Sequence, residues 1–117
     1  MKTVLLTDDS EDIVELVELI LSKYSYQLIK AKNGKESIDY CVVSPPDLVI
    51  MDLNMPDMDG FSAIDALRKN GYQQPIIVLT ASESQDDKNK ALELGCNDYI
   101  IKTIEMSDLE STVRKLI

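Results

Sequence analysis

The chain has no histidine and no tryptophan in 117 residues, and only four glycines, four prolines, two cysteines and one phenylalanine. The missing histidine excludes histidine-based triads, histidine zinc sites and histidine general bases. Any catalysis must therefore draw on carboxylates, hydroxyls or lysine. Cys41 and Cys96 have no metal-like spacing, form no disulfide framework and have no basic neighbour in sequence; two free thiols suit a reducing cytosol. Positive charge is scarce too. Twelve Lys and Arg stand against twenty-one Asp and Glu, a net charge of −9, so long-range electrostatics oppose a bare nucleic-acid backbone and direct nucleic-acid binding is not expected. Long apolar runs are also missing. The N-terminus offers only Val4, Leu5 and Leu6 before Asp8, too short for a signal-peptide core, and no later run approaches membrane-spanning length. The expectation is no membrane insertion and a cytoplasmic location.

What is present is enough apolar residue, 44% of the chain, for one globular domain over residues 1–117 that buries roughly two-thirds of its unfolded surface. Short apolar runs alternate with helical stripes. Thr3 to Thr7 reads as a strand, and Ile13, Leu16, Val17, Ile20 and Leu21 follow at helical spacing. Gln27 to Ala31 is a second strand; Ile38, Cys41 and Val42 mark a helix that Ser44-Pro45-Pro46 ends. Leu48 to Met51 is continuously apolar, as in a strand covered on both faces. Phe61, Ile64 and Leu67 form a third helix behind Asp59, a plausible N-cap, and Asn70-Gly71 stops it. Ile76 to Leu79 is a fourth strand, Ser84 to Leu94 a polar helix ended by Gly95, Tyr99 to Ile101 a fifth strand, and Met106, Leu109, Val113 and Leu116 a last helix. Strict alternation with short connections demands right-handed crossovers and a parallel sheet with helices on both faces, a doubly wound α/β fold. Ligands in such sheets sit beyond the carboxyl ends of the strands.

Four of those ends carry chemistry: Asp8 with Asp9, Asp52, Thr80 and Lys102. Carboxylates brought together repel at neutral pH, and a hard divalent cation is the natural remedy. Magnesium takes oxygen ligands and is held by one or two carboxylates together with phosphate oxygens. With Asp52 as nucleophile toward phosphorus, the metal neutralises both anions, Lys102 takes a further phosphoryl oxygen as a point charge, and Thr80 donates a hydrogen bond. The product, an acyl phosphate, hydrolyses readily, which describes a resettable switch.

The segments Thr7-Asp8-Asp9, Asp52 through Gly60, Leu79-Thr80-Ala81 and Gly95 through Lys102 resemble the receiver domains of two-component response regulators, most nearly the CheY-like stand-alone type, and the resemblance spans the whole chain. It implies a flavodoxin-like (βα)5 three-layer sandwich with strand order 2-1-3-4-5. It implies that Asp52 accepts a phosphoryl group from a sensor histidine kinase or histidine phosphotransfer protein, and that Asp9, Asp52 and the main-chain carbonyl of Asn54 bind Mg2+, with Asp8 assisting through water. It further implies that Thr80 and Lys102 grip the phosphoryl group while Tyr99 turns inward. The surface of the fourth helix, fifth strand and fifth helix then changes shape to control a downstream protein target. Such a chain assists its own phosphorylation and dephosphorylation without being an enzyme in the ordinary sense, and is expected as a monomer or weak dimer. One position departs from the family, which follows its lysine with a cis proline. Thr103 stands there, and a cis bond before threonine costs about 2.5–4 kcal/mol against about 0.5–1 before proline, so a trans bond is expected.

Plainer readings exist. Asp8, Asp9, Glu11 and Asp12 also suit a helix cap and first turn, Tyr99 suits a half-buried strand position, Met51, Met55 and Met58 suit packing and loops, and Val14, beside the first stripe, suits an exposed docking position. A haloacid-dehalogenase-like phosphatase shares the nucleophile, metal, hydroxyl and lysine, but needs a second aspartate where Asn54 stands, and Asn54 cannot transfer a proton. A flavodoxin-like carrier would have to bring a flavin phosphate beside Asp8 and Asp9, which repel it. The remaining alternatives are a receiver that binds partners without phosphorylation and a receiver excised from a longer regulator.

Overall fold

A computed structural model describes residues 1–103 and 106–117. Strands and helices alternate throughout: β1 (Thr3–Thr7), α1 (Glu11–Leu21), β2 (Gln27–Ala31), α2 (Gly34–Val43), β3 (Leu48–Met51), α3 (Gly60–Lys69), β4 (Ile76–Thr80), α4 (Gln85–Leu94), β5 (Asp98–Ile101) and α5 (Ser107–Leu116). All four ladders are parallel and the strand order is β2-β1-β3-β4-β5, the doubly wound, flavodoxin-like arrangement expected.

Strand alternation divides the apolar residues between two cores. Leu5, Val49, Met51, Ile76 and Val78 pack with Cys41 of α2, Ala63, Ile64 and Leu67 of α3 and Ala91 of α4. Val4, Leu6, Leu48, Ile50, Ile77 and Leu79 pack with Val17 and Leu21 of α1 and Leu109 and Val113 of α5. Every residue of β3 and β4 is buried, which explains why these runs show no polar alternation. The result is a three-layer sandwich with its sheet in the middle.

Four helices begin on side-chain caps. Ser10 Oγ accepts from the Ile13 N–H, Asn33 Oδ1 from Glu36, Asp59 Oδ1 from Ser62 and Ser84 Oγ from Asp87, each satisfying a donor that the helix itself leaves free. α5 follows Met106, at φ 43, with no side-chain cap bond. The boundaries differ from the sequence reading by single residues. Ser84 is the cap of α4 and not its first residue, Thr80 closes β4, and Asp98 opens β5. Val42, assigned to the core stripe of α2, is 66% exposed; the buried face runs through Gly34, Ser37 and Cys41, and one step past Cys41 turns about 100° away from it.

The edge of the sheet away from the strands' carboxyl ends is fastened by Arg68. Its guanidinium donates to the carbonyls of Gly95 (3.1 and 2.8 Å), Tyr72 (2.7 Å) and Gln74 (2.8 Å) and to Asn97 Oδ1 (3.0 Å). These acceptors tie the end of α3 to the left-handed Gly95 cap of α4, at φ 117, and to the turn before β5. Tyr72 lies under the guanidinium and donates its hydroxyl to the Pro46 carbonyl at 3.0 Å.

Candidate functional site

The residues at the carboxyl edge are held as strand residues although they lie one step past the strands. The Asp8 N–H donates to Ala31 O (3.0 Å), Asp52 N–H to Thr7 O (3.0 Å) and Lys102 N–H to Thr80 O (2.7 Å), so each ladder runs on into the site. Asp52 is wedged from the other side by the start of α3. A Cβ on Gly60 would lie 2.2 Å from the Asp52 carbonyl oxygen, so only glycine permits the Gly60 N–H to reach Leu53 O at 3.0 Å.

These anchors bring Asp8, Asp9 and Asp52 together, with one carboxylate oxygen from each within 4.8 Å of the others. Asp8 and Asp52 are each 4% exposed and Thr80 is fully buried; Asp9 and Asn54 are exposed. Lys102 Nζ stands between the two buried carboxylates, 2.9 Å from Asp8 Oδ2 and 3.2 Å from Asp52 Oδ2. The outer oxygens are turned toward the backbone: Asp8 Oδ1 accepts from the Ser10 N–H at 2.9 Å and Asp52 Oδ1 from the Asn54 N–H at 3.3 Å. Asp8 Oδ2 is buried with no hydrogen bond of good geometry, although the ammonium is in ion contact with it.

Burial pushes the Asp52 carboxyl above its ordinary value; the Lys102 ammonium opposes that and the neighbouring Asp8 carboxylate reinforces it. Burial works against the charged form of Lys102, but Asp8 and Asp52 overcome it and hold the ammonium above its usual value. A carboxylate that is costly to keep charged, beside an acidic oxygen lacking a hydrogen bond, is a donor set suited to a hard cation. Three carboxylates around one ammonium leave negative charge over, so the residues present fit magnesium.

Sequence reading placed Asp8, Asp9, Asp52, Thr80 and Lys102 at one edge, and the structure brings them there. The plainer reading of the acidic run is divided: Ser10 takes the cap, Glu11 and Asp12 occupy the first turn of α1, and Asp8 turns away toward Lys102. Val14 is half-buried against the core rather than exposed, Met51 is fully buried, and Met55 and Met58 pack at its margin. Among the described residues there is no cis peptide bond, in keeping with the trans bond expected before Thr103.

Tyr99 is 9% exposed and donates its hydroxyl to the Ser82 carbonyl at 3.0 Å, with burial raising the phenol above its usual pKa. Ser82 is a residue the sequence reading passed over. Its N–H donates to Thr80 Oγ1 at 3.4 Å, and its hydroxyl donates to Asp87 Oδ2 at 2.6 Å while accepting from the Ser84 N–H at 3.2 Å. The only signal in the sequence was the series Ser82, Ser84 and Asp87 at the start of a polar helix.

Comparison with known proteins agrees with this geometry. The family described as the response regulator receiver domain matches residues 4–114. The response regulator GtcR of Aneurinibacillus migulanus is 40% identical over 97% of this chain and 46% of its own length. The alkaline phosphatase synthesis transcriptional regulatory protein PhoP of Bacillus subtilis is 33% identical over 99% of this chain and 48% of its own; the chain spans about half the length of these relatives. Among solved structures, the response regulator TrrA of Thermotoga maritima, in complex with Mg2+ and BeF, superposes with a TM-score of 0.89 at 30% identity, covering 100% of both chains. The chemotaxis protein CheY4 of Vibrio cholerae does so with a TM-score of 0.90 at 28% identity, covering 100% and 99%. No helix among the described residues is long and apolar enough to cross a membrane. A parallel sheet of order 2-1-3-4-5 with acidic groups, a hydroxyl and a lysine at its carboxyl edge, matched along nearly its whole length by one signalling family, makes this chain a member of the response regulator receiver domains.

Proposed function

We propose that Asp52 is the phosphoacceptor of a phosphorelay and that a sensor histidine kinase or histidine phosphotransfer protein supplies the phosphoryl group. The observation that carries the reading is Lys102 Nζ lying between Asp8 and Asp52, at 2.9 and 3.2 Å: the ammonium neutralises the nucleophile and stands where an oxygen of an incoming phosphoryl group needs a counterion. Asp52 attacks phosphorus through its carboxylate oxygen, the donor's P–N bond breaks, and an acyl phosphate forms. Asp8, Asp9, Asp52 and the main-chain carbonyl of Asn54 would hold magnesium, which when bound offsets the charge of nucleophile and phosphoryl oxygens together. The Thr80 hydroxyl accepts from the Ser82 N–H, which leaves its own proton available to a phosphoryl oxygen. Asn54, two residues past the nucleophile, has no proton to exchange, which favours a persistent acyl phosphate over phosphatase turnover.

In this reading Thr80 and Tyr99 are the switch pair, and the face of α4, β5 and α5 is presented to a protein target from a cytoplasmic monomer or weak dimer. With a net charge of −9, that target is a protein and not a bare nucleic acid. The test is mass spectrometry after incubation with acetyl phosphate and Mg2+. A base-labile gain of one phosphoryl group is expected in wild type and no gain in Asp52→Asn; equal labelling of the two would overturn the assignment.

A further inference from the structure

Tyr99 is held by a backbone carbonyl, that of Ser82, and a carbonyl can hold a phenol in place only as firmly as its own peptide is held. What holds this peptide is on the helix side. The Ser82 hydroxyl donates to the Asp87 carboxylate at 2.6 Å, a charge-assisted bond, and accepts from the Ser84 N–H at 3.2 Å, while the Asp87 N–H is tied back to the Ser84 cap at 3.2 Å. The link toward the phosphoacceptor edge is weaker, a 3.4 Å contact from the Ser82 N–H to Thr80 Oγ1, at the far limit of a hydrogen bond. Strong bonds therefore run from Tyr99 through Ser82 to the first turn of α4, and only a weak one runs from Ser82 to Thr80.

We infer that Ser82 and Asp87 are positioning residues that lock Tyr99 inward by way of the Ser82 carbonyl, so that the aromatic half of the switch is set by α4 and does not wait on Asp52. This rests on the phosphoacceptor reading of the site and gives its switch a division of labour. Thr80 is the half free to respond to a phosphoryl group, because its one partner in the loop is weakly held. Tyr99 is the half already in place, so the face of α4, β5 and α5 meets its target with the aromatic ring inside in either state of Asp52.

The experiment is nitration of tyrosine by tetranitromethane, followed residue by residue by peptide mass spectrometry, with and without beryllofluoride and Mg2+. Tyr72 is the internal control: it is 7% exposed and hydrogen-bonded at the opposite edge. Without beryllofluoride, Ser82→Ala and Asp87→Asn should each nitrate at Tyr99 about tenfold faster than wild type, the loss expected for a hydrogen bond to a charged group. Ser82→Thr, which keeps the hydroxyl, should match wild type, and Tyr72 should be unchanged in all of them. In wild type the Tyr99 rate should be the same with and without beryllofluoride. An unchanged Tyr99 rate in both Ser82→Ala and Asp87→Asn overturns the inference, as does a rise at Tyr72 in step with Tyr99, or strong protection of Tyr99 in wild type only on adding beryllofluoride. Beryllofluoride binding is followed separately through the amide resonances of residues 52–54. Failure to bind wild type would defeat the phosphoacceptor reading, while the beryllofluoride-free comparison of the variants would still decide the lock.

Discussion

The two edges of the sheet are built on opposite terms. At the carboxyl edge one ammonium serves two buried carboxylates, Thr7 Oγ1 and Asp8 Oδ2 are buried without hydrogen bonds, and Asp57 sits at φ 70 in the loop before α3. At the other edge Arg68 has every contact on a neutral oxygen, Tyr72 has found a carbonyl, and Asn97 Oδ1 serves both Arg68 and the Ile76 N–H. One edge leaves polar capacity unspent and the other closes it. Buried polar groups are mostly satisfied where structure alone is at stake; apart from Ser37 Oγ inside α2, the buried side-chain oxygens without a hydrogen bond among the described residues lie at the carboxyl edge.

The contrast can be broken most severely at Gly60. A Cβ there meets the Asp52 carbonyl oxygen at 2.2 Å, whereas Gly71, at φ 90, has nothing within 4 Å. Gly60→Ala should cost about 3 kcal/mol or more in urea unfolding, and Gly71→Ala only about 1–2 kcal/mol from the left-handed backbone; equal costs would mean the carboxyl edge is not crowded. Next come the two cations. Arg68→Met strands several carbonyls and should cost about 3 kcal/mol, with or without Mg2+. Lys102→Met leaves two buried carboxylates without a counterion and should cost about 2 kcal/mol in EDTA, after allowing for its partial exposure. Excess Mg2+ should largely restore it, since an ion at about 100 times its dissociation constant adds about 2.7 kcal/mol to the folded state. Urea midpoints in EDTA and in Mg2+ at matched ionic strength decide whether the metal distinguishes the edges.

Asp52 allows the comparison to be sharpened with pH. Its folded pKa lies above the ordinary carboxyl value of 3.8, so its contribution to stability is fully present below that value and lost as pH rises through the raised folded pKa. Without metal, Asp52→Asn should therefore be more stable than wild type at pH 7, and the advantage should shrink as pH is lowered toward the ordinary carboxyl value; a constant advantage would mean that the carboxylate is not strained. The smallest effect belongs to Asp9. Because it is exposed, its repulsion is screened, and Asp9→Asn should gain no more than about 0.5 kcal/mol in EDTA. It should nevertheless reduce the Mg2+ shift in the urea midpoint, and an undiminished shift would remove Asp9 from the ligand set.

The carboxyl edge was more legible than its counterpart. Asp8, Asp52, Thr80 and Lys102 each follow or close an apolar run, and parallel alternation fixes where such ends converge, so sequence order alone assembled them. Arg68 and Asn97 gave no such sign. They meet across 29 positions through the Asn97 side-chain oxygen, the other acceptors of Arg68 are backbone carbonyls that every residue possesses, and an exposed-looking arginine near a helix end is a common surface feature. Ser82 and Asp87 were hidden for a similar reason, since hydroxyls and carboxylates at a helix start read as caps, and Ser84 is one. Val42 failed on period: its neighbour Cys41 is buried, and one residue of a helix is enough to leave the core face.

The ladder bonds that continue into Asp8, Asp52 and Lys102 have a consequence for time as well as position. A backbone amide on an ordinary active-site loop exchanges with solvent by local opening, whereas the Asp52 amide, which continues the ladder between the inner strands β3 and β1, opens only when they do, and those of Asp8 and Lys102 open with the edge strands β2 and β5. Asp52, at the rim of the molecule, should thus share the slow hydrogen exchange of its core. Events at Asp52 then have no soft backbone to relax into, and whatever they set in motion must travel through side chains, on the fast timescale of rotamers and not the slow one of strands.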